Sequence, residues 1–235
     1  MRCERITIDV GCGKKNNLQY YGFDGAPTAA LDINHAFLES RKDGVSTSYL
    51  QADGCSLPFK SSAADQVFAV HYLEHVESYD DALDELTRVT KEGGTLTIAV
   101  PHPNYEGVMA RMDSDYHSPR MHRRVLDEKE LRDGLESRNF EIVESAKRDS
   151  VQAIMTTAMF FLHRKLLHDR QMESHSGSLL KTEEQNPSGS GEVNSNSRLK
   201  SIVKSRWLRK LFKVFDRFYP FETYMTAVKK PTNPS

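Results

Sequence analysis

The sequence predicts an α/β fold: a mostly parallel sheet with helices covering both faces. Three observations predict it. Short apolar or β-branched runs alternate with longer segments of helical period. A Gly-x-Gly turn, Gly11-Cys12-Gly13, follows the first of those runs, where a parallel strand gives way to a loop. And 235 residues, 38% of them hydrophobic, are enough to bury one domain-sized core with room for an appendage.

The elements follow in order. Arg5–Val10 reads as a buried, β-branched first strand. Gln19–Asp24 (QYYGFD) reads as a second after a short connection, Tyr49–Ala52 as a short third and Gln66–Val70 as an apolar fourth. A helix starts at Tyr79, with Ser78 as N-cap and Asp81 three positions on. Ala82, Leu83, Leu86 and Val89 recur at helical spacing, and Glu92-Gly93-Gly94 is the stop signal. Thr95–Val100 is the fifth strand, ended by Pro101. Asp127–Arg138 is helical again, with Leu131 and Leu135 on one face, then Phe140–Val143 is a strand and Val151–Leu167 an apolar helix. Residues 169–198 carry SHSGS, NPSGSGE and NSNS, turn formers with almost nothing to bury, and read as a flexible linker or loop insertion. Residues 199–218 form a basic amphipathic helix, and Tyr224–Lys230 a last strand. Residues 1–168 and 219–230 thus make the core.

Charged residues are 28% of the chain and the formal net charge is −1, so whole-chain charge argues for no particular partner. The three cysteines, Cys3, Cys12 and Cys55, form no CxxC pair, so neither a structural zinc site nor disulfide stapling is expected, and the site is expected to hold no metal. No apolar signal region opens the chain and no run is long enough to span a bilayer, so the expected location is cytoplasmic.

At the end of the first strand, glycines let the backbone turn sharply and let a ligand lie against it. Asp24, eleven residues after Gly13, would end the second strand, where a carboxylate can accept hydrogen bonds from both hydroxyls of a ribose. The pair reads as a nucleoside crevice, against the plainer reading of a tight turn. Lys14, Lys15, Asn16 and Asn17 follow Gly13, so the third glycine of a dinucleotide fingerprint is absent, and no helix of full length follows. That argues against a pyrophosphate, and so against a nicotinamide oxidoreductase. Asp53, before Gly54, can accept from an adenine amino group or simply cap a turn.

These motifs together resemble the class I S-adenosylmethionine-dependent methyltransferases, in particular the type 11 group. DVGCG (Asp9 to Gly13), GFD (Gly22 to Asp24), ADGCSLPF (Ala52 to Phe59), DQVFAVHYLEHV (Asp65 to Val76) and TRVTKEGGTLTIAVP (Thr87 to Pro101) carry the resemblance. It implies a Rossmann-like sheet of seven strands, mostly parallel, the last antiparallel, with S-adenosyl-L-methionine as cofactor. It also implies site roles. Gly11, Cys12 and Gly13 would pass the methionine part, Asp9 would hold the loop or the amino group, and Asp24 the ribose. Asp53 and the Gly54 backbone would hold adenine, and His71 would lie beside the sulfonium.

Methyl transfer needs alignment and, for a hydroxyl or amine acceptor, a base. His71 and His102 are the catalytic candidates. His71 reads either as a shaper of the cofactor site or as the base, and His75 as a packing residue or a base. Tyr116-His117 and Met121-His122-Arg123-Arg124 read as an anion clamp or a solvated loop. The acceptor is expected to be a small molecule, a sugar or a lipid-linked compound. The basic segment 199–218 either covers the acceptor cleft or contacts a membrane surface peripherally. Nucleic acid is disfavoured, because basic and aromatic residues do not interleave across strands. A non-catalytic methyltransferase-like module that binds a partner is the alternative to an enzyme.

Overall fold

The computed structural model describes residues 5–14, 17–41, 46–112, 122–148, 154 and 220–232. The chain divides into two units, residues 1–148 with 222–235, and residues 149–221. Ile154, Pro220 and Phe221 are the described residues of the second. The expected helix over 151–167, the linker 169–198 and the basic segment 199–218 lie outside the described residues, Ile154 apart.

Seven strands build one sheet: β1 (Thr7–Val10), β2 (Ala29–Asp32), β3 (Ser48–Gln51), β4 (Ala64–Val70), β5 (Thr90–Pro101), β6 (Phe140–Arg148) and β7 (Glu222–Lys229). Their spatial order is β3-β2-β1-β4-β5-β7-β6. The pairs from β3 through β5 are parallel, and β7 runs antiparallel to both β5 and β6. The predicted mostly parallel sheet with an antiparallel last strand is therefore observed. Every residue of β1 and β2 is buried, as expected for central parallel strands covered on both faces. Strand order reverses at β1, whose neighbours are β2 and β4, and a crevice opens there at the carboxyl ends.

Four helices are described: α1 (His35–Ser40), α2 (Tyr79–Val89), α3 (Pro103–Met112) and α4 (Glu128–Glu136). The α2 stripe is as predicted: Ala82, Leu83, Leu86 and Val89 are all fully buried. Ser78 caps the helix by accepting from the Asp81 N–H. Asp127 caps α4 through the Glu130 N–H at 2.8 Å, and Leu131 and Leu135 join the core. Helix α2 ends at Val89 rather than at the glycines, because β5 already begins at Thr90 and takes Gly93 and Gly94 into an irregular stretch of strand.

The second strand is a correction. Gln19–Asp24 is not a strand: Leu18–Tyr21 forms a single 3-10 turn, and Gly22 closes it with φ +79°. Only Leu18 in that turn is buried, so the aromatic run has no face to lay on the core. The sheet is instead continued by Ala29–Asp32, paired Ile8 to Ala29 and Val10 to Leu31. Asp24 is consequently an exposed loop residue, not the end of a strand.

Candidate active site

The chain turns out of β1 through Gly11, with φ +69°, and Gly13, with φ +57°. Both values are in the left-handed region, where a side chain costs roughly 1–2 kcal/mol per residue. Two anchors hold this turn from behind. The Cys12 N–H donates to the Leu31 carbonyl at 2.9 Å. The Arg41 guanidinium, at the end of α1, donates to the Cys12 carbonyl at 2.7 Å and lies 3.8 Å from the Asp9 carboxylate. Asp9 and Arg41 are both buried. Buried charges persist only when paired and hydrogen-bonded, so this ion pair fixes the loop. Of the two roles expected for Asp9, holding the loop is the one its position serves.

Cys12 points away from the turn into a small cluster with Ala30, Leu38 and Tyr49. Burial, and next the Asp9 charge, push its thiol up to about 12. The thiolate that reacts with alkylating reagents is then roughly one molecule in ten thousand at pH 8. Iodoacetamide at pH 8 is expected to leave Cys12 unmodified in the native protein and to label it once urea is added. Peptide mass spectrometry reads the difference, and native labelling of Cys12 would contradict this burial.

The front of the turn faces Asp32, the last residue of β2. Its carboxylate accepts from the Gly13 N–H at 2.9 Å and from the Asn34 N–H at 2.8 Å. One side chain thereby ties the glycine turn to the start of α1, where Asn34 is the cap. Asp32 was not among the predicted residues. The signal that finds it is spacing: it lies 19 residues after Gly13, and the ribose carboxylate of nucleotide-binding parallel sheets comes about 20 residues after the glycine turn. Asp24, at eleven, is too early.

The cleft itself has a volume of about 670 Å³, within the ~300–1,000 Å³ of small-molecule sites. Gly11, Gly13, Asp32, Asp53, Gly54, Tyr72, His71 and His75 are on its walls. Of the predicted residues, Asp9, Cys12, Asp24 and His102 are not. Asp53 sits in the turn after β3, where its Oδ1 accepts from the Cys55 N–H at 2.9 Å. Asp53 therefore caps its turn and also lies on the cleft wall. Close approach at the glycines comes from within the protein. A Cβ on Gly11 would stand 2.6 Å from Tyr72 Cδ2, and one on Gly54 would stand 2.0 Å from the Tyr72 hydroxyl. Gly13, by contrast, has open space where its Cβ would be. The Tyr72 hydroxyl is buried and makes no hydrogen bond among the described residues. A cleft wall carrying an unsatisfied hydroxyl, a carboxylate at the end of β2 and an open glycine suits a polar nucleoside.

His71 follows β4 with φ +50°, and its N–H donates to the Ala99 carbonyl on β5. Its ring is held between two buried carboxylates: Nε2 is 3.1 Å from Glu222 and Nδ1 is 3.3 Å from Glu74. Burial acts to lower its pKa, but the hydrogen bond to Glu222 and the neighbouring Glu74 carboxylate outweigh it and raise it to about 10. Glu222 is also bonded by Tyr21 at 2.8 Å and Arg148 at 3.1 Å. Burial raises its carboxyl, yet His71, Tyr21 and Arg148 hold it below the usual range. His71 has both nitrogens engaged as an imidazolium and so has no lone pair for an acceptor proton.

His102 precedes α3, and its Nδ1 accepts from the Asn104 N–H at 3.1 Å. That is a helix cap, which explains its position without chemistry. Burial and then Lys147 lower its pKa, so it is neutral near pH 7. His122 meets the buried Glu106 at 2.7 Å, and Arg124 is taken up by Glu130 at 2.7 Å and by the Tyr79 ring. Arg123 lies on the cleft wall.

Sheet order defines the fold class, a mostly parallel α/β sheet with an antiparallel β7 and, at its carboxyl ends, a glycine turn facing a carboxylate. Residues 8–98 match the family described as "Methyltransferase domain", type 11. Over residues 8–98 the chain thus matches the class I S-adenosylmethionine-dependent methyltransferases of the type 11 family, and the strand order agrees with that match. The methyl donor of that family is S-adenosylmethionine.

Among curated relatives, malonyl-[acyl-carrier protein] O-methyltransferase of Enterobacter lignolyticus (strain SCF1) is 30% identical over 127 residues, 52% of this chain and 51% of that protein. Sterol 24-C-methyltransferase of Eremothecium gossypii is 30% identical over 138 residues, 55% of this chain and 35% of that one. The match thus spans about half, or less, of the length of these relatives. Among solved structures, an S-adenosylmethionine-dependent methyltransferase from Archaeoglobus fulgidus shares the fold at a TM-score of 0.56 and 17% identity, covering 97% of this chain and 87% of that one. The Haemonchus contortus phosphoethanolamine N-methyltransferase 2, in complex with S-adenosyl-L-methionine, does so at 0.55 and 15%, covering 98% and 50%.

Proposed function

We propose that this chain is an S-adenosylmethionine-dependent methyltransferase acting on a small-molecule, sugar or lipid-linked acceptor. The observation that carries this is the Asp32 carboxylate at the end of β2, bonded to the Gly13 N–H at the mouth of a 670 Å³ cleft. In this reading Asp32 receives the two ribose hydroxyls. Asp53 and the Gly54 backbone hold adenine, and Gly11 and Gly13 face the methionine part. When bound, the cofactor supplies a methyl group already activated by a positive sulfur. His71, fixed between Glu74 and Glu222, is a positioning residue that sets the wall beside the methionine end. Tyr72 closes the cleft between Gly11 and Gly54 and keeps water from it.

The acceptor class is supported by the names of the relatives, which include a malonyl-carrier and a sterol enzyme. The basic segment 199–218 is proposed to meet an anionic lipid surface, since Arg209, Lys210 and Lys213 accompany Trp207 and Phe212 and each such cation contributes about 1 kcal/mol near the surface. Among the described residues no helix is long and apolar enough to cross a membrane. The test is transfer of a labelled methyl group from S-adenosylmethionine into fractionated lipid and metabolite extracts. Label is expected in an apolar or glycan fraction and is expected to disappear with Asp32→Ala. No transfer to any fraction would contradict the enzyme reading.

A further inference from the structure

Next to the cleft lies a second group of chemistry-bearing side chains that the nucleoside reading does not use. Glu74 and His75 come from the turn after β4, and His122 from the segment after α3. One ligand atom from each lies within 4.8 Å of the others. A backbone bond pins the two segments together, the Arg123 N–H donating to the Glu74 carbonyl at 2.9 Å. His75 is on the cleft wall. We propose that Glu74, His75 and His122 form a site for one divalent transition-metal ion, such as Zn²⁺, Mn²⁺ or Co²⁺, at the rim of the cleft.

Two observations point to a cation there. The first is Glu74 itself. It is 2% exposed, and neither carboxylate oxygen makes a hydrogen bond of normal geometry among the described residues. Its nearest contacts are His71 Nδ1 at 3.3 Å and His75 Nε2 at 4.0 Å. His71 is shared with Glu222 at 3.1 Å, so one ring faces two buried carboxylates. A buried carboxylate that shares one imidazolium with a second buried carboxylate, and has no well-formed hydrogen bond of its own, is costly, and a bound cation answers it. The second is His122. Its Nδ1 is 2.7 Å from Glu106, which is 1% exposed on α3. A histidine that ligates a metal through one nitrogen gives the other N–H to a carboxylate in just this way, which fixes its tautomer and orientation.

Two imidazoles and one carboxylate form a donor set suited to zinc and its neighbours, and three protein ligands leave a coordination position open. Ligand atoms about 2.1 Å from an ion stand about 3.4 Å apart in a tetrahedron, so the present spread of 4.8 Å requires the three side chains to draw in by about 1.4 Å. The expectation of a metal-free protein rested on cysteine spacing, and this set contains no cysteine.

The consequence for catalysis rests on the methyltransferase reading, whereas the metal site does not. An acceptor hydroxyl reaching the rim would fill the open position, and the ion would lower its pKa. The proton passes to water. The oxygen's electron pair forms the new O–C bond, and the C–S bond breaks with its pair left on sulfur, giving a neutral thioether. This supplies what His71 and His102 do not, a means of deprotonating an oxygen acceptor near neutral pH.

The test uses the untagged 235-residue chain, stripped with EDTA and dialysed, titrated with Co²⁺ and followed by visible absorption, with Zn²⁺ calorimetry in parallel. One ion per chain is expected. Glu74→Gln and His122→Ala are each expected to weaken binding more than tenfold. Glu106→Gln is expected to weaken it about 10- to 100-fold with the stoichiometry kept. His35→Ala, at a histidine outside the set, should bind as wild type. Circular dichroism confirms folding of each variant, and His122→Asn stands in for any that fails. No tight Co²⁺ or Zn²⁺ binding, or equal binding by wild type, Glu74→Gln and His122→Ala, overturns the proposal. Binding of S-adenosylhomocysteine to the same samples reports separately on the cleft, so failure of one reading is distinguished from failure of the other.

Discussion

Asp32→Ala is expected to weaken S-adenosylhomocysteine binding by well over tenfold, while Asp24→Ala leaves it unchanged. A hydrogen bond to a charged group is worth about 1.5–3 kcal/mol, and Asp32 is assigned two of them to the ribose. The same carboxylate also accepts from the Gly13 and Asn34 N–H groups, so its loss loosens the glycine turn as well. Asp32→Asn separates these effects, since an amide oxygen keeps an acceptor for the backbone without the charge. It is expected to fall between wild type and Asp32→Ala. Calorimetry reads all three. Equal loss with Asp24→Ala would return the ribose to the loop after the 3-10 turn.

Arg41→Met is expected to produce the largest loss of stability of any substitution outside the hydrophobic core. The Arg41 side chain is fully buried, 3.8 Å from Asp9 and bonded to the Cys12 carbonyl. Removing one member of a buried ion pair costs about 3–5 kcal/mol, because the other is left without its counter-charge. Urea denaturation measures this. Adding Asp9→Asn to Arg41→Met is expected to restore part of the loss, since the leftover charge is then gone. A loss below about 1 kcal/mol for the single variant, the worth of an exposed pair, would mean that this pair does not hold the loop.

Much of the fold is legible in the sequence where one face decides the period. Helix α2 shows its buried stripe and its Ser78 cap, α4 its Leu131 and Leu135, and β1, β3 and β4 fall within two residues of their expected bounds. Strand β2 is not legible by propensity. Ala29, Ala30 and Leu31 are weak strand formers that become strand because both faces are covered, while the aromatic Tyr20 and Tyr21 look like strand and form a 3-10 turn. The placing of Asp24 at the end of a strand falls with that strand. Gly-Phe-Asp and Ala-Leu-Asp are alike as short apolar runs ending in a carboxylate, and only the distance from Gly13 separates them.

The rest of the site was out of reach for a different reason. His71 is defined by Glu222, 151 residues away in the chain, and Arg41 by a carbonyl 29 residues before it. No local pattern announces such partners. Tyr72 is the ring that fills the space beside Gly11 and Gly54, and nothing in the adjacent residues marks it for that place. Helix α3 was also missed. His102-Pro103 opens it with a capping imidazole and a proline at the first turn, a start signal obscured by the strand-ending Pro101 just before.

The most direct test of the central claim is a crystal structure of the protein with S-adenosylhomocysteine. The ribose hydroxyls are expected within hydrogen-bond distance of the Asp32 carboxylate, the adenine beside Asp53 and Gly54, and the thioether sulfur on the His71 side of the cleft. A ribose on Asp24, or a ligand bound anywhere but between Gly13 and Gly54, would contradict it.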